Sequence, residues 1–366
     1  MRVYGYLKKN QKPFSVVPFN AVDALAIAWM AYFDFASVKD KLPLTIKGIE
    51  NLSYYKKLDP YVSSFVPKYS RKFMHAIAHS TRFRGAELLD YDYVLDKNSS
   101  AQFSVIAIRV HGLIIIAFKG TDDSYTGWRE DFELSYKDKI ASYSLAESFV
   151  DNIMKKYDEN IVLCGHSKGG NIATYLLSQV KDASRIEHVY SFDGPGFRIQ
   201  GLFENKEDRL EKFTKIIPQS SIVGVLFSNE TDVKIIKSGS IMVVQHIPLV
   251  WYVKNNDFVY LKKRTLSSRY FETSINAWIN SLKDEEKKRF TEIVFGELDK
   301  LDPQDFISFF KKIFFQVKPI YEAYLALDMD DKKLLFKVYF KLVRNMILPE
   351  KKKVKQINQK KEVVND

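Results

Sequence analysis

One pentapeptide, Gly165-His166-Ser167-Lys168-Gly169, sets a serine midway between two glycines. A short apolar run, Ile161 to Cys164, precedes it. A segment with helical spacing at Ile172, Leu176, Leu177 and Val180 follows. A serine on such a strand-to-helix turn stands exposed at the end of a sheet, and the flanking glycines let strand and helix approach closely. Gly170 adds a further small residue. The chemistry this favours is nucleophilic attack by the Ser167 hydroxyl.

A hydroxyl is a weak nucleophile and needs a base, which a carboxylate must orient. In a nucleophile elbow of this kind the chain order is serine, acid, histidine. Of the six histidines only His188 and His246 follow Ser167. His188 opens a strand, before any suitable acid. His246 lies just past an expected strand, Ile241 to Val244, and is the base by elimination. Two carboxylates compete for the third role. Asp193 leaves the strand Val189 to Phe192 directly, in Phe192-Asp193-Gly194-Pro195-Gly196, and a strand's C-terminal end is a favoured active-site position. Asp232, between two later strands, is the rival.

The oxyanion of a tetrahedral intermediate needs rigid main-chain donors. The run Ile116 to Asp122 ends a strand with Gly120-Thr121, so the N–H groups of Thr121 and of Lys168, next after the nucleophile, are the candidates. Trp128 and Asp131 follow, with Asp131 placed to hold the threonine hydroxyl. Other constellations are weak. His75 and His79 are four apart on a helix, but Ala76 stands where a metalloprotease glutamate would be needed. The single cysteine, Cys164, precedes the elbow inside a strand and reads as a buried small hydrophobe. No metal or cofactor is implied.

The elements that must position these residues follow from periodicity. Phe103 to Ile108 and Leu113 to Phe118 flank His111-Gly112 and read as a hairpin. Ser144 to Tyr157 is helical, with Leu145, Phe149, Ile153 and Met154 on one face. With the elbow helix and the strand Val189 to Phe192, this gives strand–helix alternation and a mostly parallel central sheet of the α/β class. Further strands are expected at Ile222 to Phe227, Val233 to Ile236, Ile241 to Val244 and Phe258 to Leu261. Residues 1–87 read as an N-terminal helical region, 88–264 as the α/β core, and 265–348 as a C-terminal helical region. In the last, Phe271, Ile275, Trp278 and Leu282 share a face, Asp302-Pro303 starts a helix, and Phe306 to Val317 carries an apolar stripe. Residues 349–366 form a Lys-rich tail with the composition of a disordered segment. The connector around 265 carries no Pro/Gly linker, so the helical end is expected to pack on the core.

Composition excludes several classes. The 366 residues are 46% hydrophobic and 28% charged, which is globular. One cysteine cannot form an internal disulfide framework or a Cys-based zinc module, and points to a reducing compartment. The net charge of +11 comes with no zinc spacing, no RNP-type aromatic motif and no heptad zipper, so no nucleic-acid partner is expected. The longest apolar run, Ala24 to Phe33, falls short of the ~20 residues that cross a bilayer and reads as a buried helix. The expected location is cytoplasmic, with peripheral contact at an anionic membrane left open by the basic surface.

The motifs also carry a resemblance. Phe118-Lys119-Gly120-Thr121, Trp128 with Asp131, and Gly165 to Gly170 are similar to the class 3 lipase branch of the α/β-hydrolases. The chain more closely resembles an uncharacterised bacterial family, the Mbeg1-like hydrolases. The matching features are Pro18-Phe19-Asn20 with Val22-Asp23-Ala24, Gly127-Trp128-Arg129-Glu130-Asp131-Phe132, Gly165 to Asn171, Asp193-Gly194-Pro195-Gly196, Pro218-Gln219-Ser220-Ser221 and Gln245-His246. This implies an α/β-hydrolase fold with Ser167 as nucleophile and His246 as base. Two positions depart from the class 3 lipases. Ser221 stands where their acid is, and Lys168 replaces an apolar residue after the serine. A cation there is expected to favour anionic substrates over neutral triglyceride. The implied function is a serine hydrolase of carboxylic esters, lipid or acyl esters among them, working through a Ser-His-Asp triad and an acyl-enzyme. The alternatives are transfer of the acyl group to an acceptor other than water, and a non-catalytic scaffold on the same fold.

Overall fold

A computed structural model describes residues 1–51, 67–199, 201–227, 233–300 and 317–347. Its strands are β1 (Leu44–Thr45), β2 (Glu87–Asp96), β3 (Ala101–Val110), β4 (Leu113–Phe118), β5 (Asn160–His166), β6 (Ile186–Phe192), β7 (Phe213–Pro218), β8 (Val233–Ile236), β9 (Val253–Lys254), β10 (Asp257–Phe258) and β11 (Tyr260–Leu261). Nine of them form one sheet in the order β1-β2-β3-β4-β5-β6-β7-β8-β11, and β9 pairs with β10. The strands β4 to β8 run parallel. An antiparallel meander, β2-β3-β4, extends one side and β11 closes the other.

The helices are α1 (Val3–Lys9), α2 (Ala21–Met30), α3 (Ile46–Asn51), α4 (Pro67–His79), α5 (Tyr125–Glu133), α6 (Ala141–Lys156), α7 (Lys168–Gln179), α8 (Leu266–Asn280), α9 (Asp284–Lys300), α10 (Val317–Ala326) and α11 (Met329–Ile347). They cover both faces of the sheet, which is why the central strands are apolar without alternation. In β4, Ile115 and Ala117 pack on one side with Val162, Cys164 and α2. Ile114, Ile116 and Phe118 pack on the other with α6 and α7. This is the layered, mostly parallel architecture of an α/β-hydrolase.

Local chemistry fixes the pieces nearest the sheet. His111 and Gly112 both take positive φ, 45° and 81°, which lets a two-residue turn join β3 to β4. Asn20 caps α2 by accepting from the N–H groups of Val22 and Asp23, and the Asp23 carboxylate returns to the Asn20 N–H. Asp23 is wholly buried and is held by Arg82 at 2.8 and 2.5 Å and by the Tyr6 hydroxyl at 2.9 Å. Every residue of α2 from Val22 to Met30 is buried, as the apolar run predicts.

Two expected strands are absent. Ile222 to Phe227 is a series of turns, and Ile241 to Val244 leads into a 3₁₀ helix, Met242–His246. Four strands, β1, β2, β7 and β9, fall where the sequence pattern predicts none. Asp232, Asp302-Pro303, the Phe306 stripe up to residue 316 and the Lys-rich tail lie outside the described residues. Among the described residues no helix is long and apolar enough to cross a membrane.

Candidate active site

Ser167 occupies the single step between β5 and α7, with φ 59° and ψ −131°. For a residue with a Cβ this is a strained conformation, kept only where the surroundings enforce it. The Ser167 N–H donates to the Phe192 carbonyl at 2.9 Å, and the Gly170 N–H donates to the Ser167 carbonyl at 2.9 Å. The enforcement needs close backbone contact. A Cβ on Gly165 would collide with the carbonyl group of Gly169, and one on Gly169 with the Phe118 carbonyl. Strands β4 and β5 and the start of α7 therefore meet at one point.

Asp193 is the first residue past β6, buried, with φ 50°. Its Oδ2 lies 2.7 Å from His246 Nδ1. Its Oδ1 accepts the Ser221 hydroxyl at 2.5 Å and the Gly224 N–H at 3.2 Å. A carboxylate fixed at three points can hold the imidazole in one tautomer. Nδ1 is engaged by Asp193, which leaves Nε2 for proton transfer. Among the described residues no hydrogen bond joins Ser167 Oγ to that ring, a contact that often tightens only with substrate bound.

The backbone of His246 is also held. Its carbonyl is 2.7 Å from His166 Nε2, which therefore carries the proton, and His166 Nδ1 is 2.8 Å from the Tyr32 hydroxyl. Burial, followed by the neighbouring His246, keeps His166 protonation well below the ordinary range, so it works as a neutral link. Tyr32 in turn lies against Gly120, where a Cβ would collide with its hydroxyl and come within 2.8 Å of Ser167 Cβ. Sequence reading missed this Tyr32–His166 chain, because the two residues are far apart along the sequence.

Thr121 follows Gly120 beside the nucleophile. Among the described residues neither the Thr121 N–H nor the Lys168 N–H is used in a backbone hydrogen bond. The Thr121 hydroxyl is 2.8 and 2.7 Å from the two oxygens of Asp131. Burial pushes the Asp131 carboxyl up to about 6, against the opposing pull of the Lys168 charge and the Thr121 hydrogen bond. Trp128 is half-buried on α5, the helix that also carries Asp131.

The Lys168 side chain corrects an expectation. It does not present a cation to the substrate. It turns inward, is 1% exposed, and pairs with Glu130 at 2.6 Å. No preference for anionic substrates follows from it. A polar side chain at a buried position demands a partner, and Glu130 in Arg129-Glu130-Asp131 was the available signal.

The remaining candidates lie elsewhere. His188 sits within β6, 2.9 Å from the Thr214 hydroxyl. His75 and His79 pack ring on ring at 4.1 Å, and no group of ligating side chains able to hold a metal occurs among the described residues. Cys164 is buried under α2, and burial holds its thiol far above its usual range.

A sequence model described as Mbeg1-like matches residues 77–296, more than half of the chain. The chain matches no curated protein. Among solved structures it is similar to Lip2 lipase from Yarrowia lipolytica, with 15% identity and a TM-score of 0.35 over 51% of this chain and 84% of that one. It is also similar to lipase II from Rhizopus niveus, with 15% identity and a TM-score of 0.38 over 59% and 79%. Rhizomucor miehei lipase gives 17% identity and a TM-score of 0.33 over 54% and 70%.

Proposed function

The chain belongs to the Mbeg1-like family and has an α/β-hydrolase fold, and from that premise and the geometry of the site we propose that it is a serine hydrolase of carboxylic esters. The observation that carries the reading is the 2.7 Å contact of Asp193 with His246 Nδ1, close to a serine in a strained elbow. Ser167 Oγ adds to the ester carbonyl while its proton passes to His246 Nε2. The negative charge on the former carbonyl oxygen is taken up by the N–H groups of Thr121 and Lys168. Collapse breaks the bond to the alkoxide, which leaves with the proton from His246, and the acyl group stays on Ser167. Water then adds to the acyl-enzyme, with His246 accepting its proton and returning it to Ser167 as the acid departs.

Acyl and lipid esters are the substrate class this reading favours. The mouth of the site carries no Lys168 charge to select against a neutral ester. The test is a panel of nitrophenyl esters of increasing acyl length together with phospholipids. Ser167→Ala is expected to lower kcat by about 10⁶ with an unchanged melting temperature. Unaltered turnover in that variant would contradict the proposal.

A further inference from the structure

Glu130 and Asp131 are consecutive on α5 and so project about 100° apart. Each grips one of the two residues whose N–H groups are assigned to the oxyanion in the proposed function. Asp131 holds the Thr121 hydroxyl, as described. Glu130 holds Lys168, and does so within a buried polar network. Lys168 Nζ donates to Glu130 Oε2 at 2.6 Å and to the carbonyl and Oε1 of Gln102, both at 2.9 Å. Glu130 also accepts the Ser142 N–H and hydroxyl, both at 2.8 Å, and the Gln102 N–H at 3.2 Å. Glu130, Lys168, Gln102 and Ser142 are all buried.

We infer that Glu130 is a positioning residue: through the Lys168 side chain it fixes the N-terminal residue of α7, and with it the second donor of the oxyanion hole. This rests on the serine-hydrolase reading and adds a role for a residue that does not touch substrate. A buried ion pair is weak evidence of stability, because an apolar pair of similar volume often serves as well. Filling the site with a lysine and a glutamate makes sense where direction matters more than burial. A lysine clamped at three acceptors has one available geometry, and its Cα follows. The same carboxylate also meets the start of α6 and strand β3, so α5 ties Thr121, Lys168 and the sheet into one rigid body.

The test compares Glu130→Gln with the double variant Glu130→Gln/Lys168→Met. The double variant removes both charges and remains informative if the single one fails to fold. Kinetics on a nitrophenyl ester are measured beside binding of a trifluoromethyl ketone, whose hemiketal with Ser167 places an oxyanion against the same two N–H groups. Displacement by about an ångström can cost ~10²-fold in rate. The expected result is a kcat lower by about 10- to 100-fold, KM within twofold, and ketone affinity reduced by the same factor as kcat. A folded variant that keeps kcat and ketone affinity within twofold of the parent overturns the inference. So does a loss confined to KM, or a fall in kcat without a fall in ketone affinity. A parent protein that neither hydrolyses the ester nor binds the ketone removes instead the hydrolase reading beneath it.

Discussion

At the scale of single residues, the arrangement turns on which strand end supplies the acid. Asp193 follows β6, and Ser221 follows β7, the neighbouring strand. The two side chains meet, the serine donating to the carboxylate at 2.5 Å. Ser221, whose segment resembles the acid-bearing one of the class 3 lipases, thus serves here as a hydrogen-bond donor to Asp193, the proposed acid. We expect Asp193→Asn to lower kcat by about 10⁴, through loss of the imidazole tautomer and of the charge that stabilises it. Asp232→Asn is expected to cost far less. The reverse ranking in two folded variants would move the acid to the later segment. Asp131 gives a pH dependence. Burial pushes its carboxyl up to about 6 in the folded chain, from an ordinary value of 3.8 when the chain is unfolded. Between those values the folded chain keeps a proton that the unfolded chain has released. Stability from this group is therefore present at low pH and lost as the pH rises through about 6. Asp131→Asn lacks this term, so its melting temperature relative to the parent should be higher at pH 7 than at pH 4. A difference that stays constant with pH would count against the buried-carboxyl reading.

At the scale of elements, α2 is a structural member of the core, and its anchor is testable. The Asp23–Arg82 pair has no exposed side-chain surface on either partner. Arg82→Met leaves a buried carboxylate without its counter-charge and should cost about 3–5 kcal/mol, read from denaturant unfolding. A cost below 1 kcal/mol would mean that Asp23 ionisation is not needed for the fold. The elements legible in the sequence were those with a strong period or a fixed turn: the β3–β4 hairpin, β5, β6, α6 and α7. Those misread were governed by tertiary demand. Ile222 to Phe227 has an apolar run, but the Gly224 N–H is needed at Asp193, and the chain turns around the carboxylate. Strand β7 was hidden by Thr214 and Lys215, both buried within it. His246, selected by elimination, lies in a 3₁₀ helix and not past a strand. Its partners His166 and Tyr32 had no local pattern to announce them, and Glu130 was visible only as the counter-charge that Lys168 requires.

At the scale of the whole molecule, the C-terminal helices bear directly on the site. The Ser268 hydroxyl at the start of α8 donates to the Ser221 carbonyl at 2.6 Å, and the Thr265 hydroxyl lies 2.9 Å from that of Ser220. These bonds brace the segment that holds Asp193. Asn276 accepts from the Phe227 N–H at 2.9 Å, and Phe132 on α5 packs against Phe290 and Phe295 on α9. Limited proteolysis is therefore expected not to release a folded, active fragment ending near residue 265. Ready release of such a fragment would show the helical end to be a separate unit.

The central claim is that Ser167 is an activated nucleophile. Its most direct measurement is reaction of the intact chain with a fluorophosphonate, followed by mass spectrometry of the peptides. The account predicts one adduct per chain, on Ser167, absent from Ser167→Ala and formed far more slowly by Asp193→Asn. A folded chain that takes up no probe, or takes it up at another residue, would contradict it and leave the fold to serve as a scaffold.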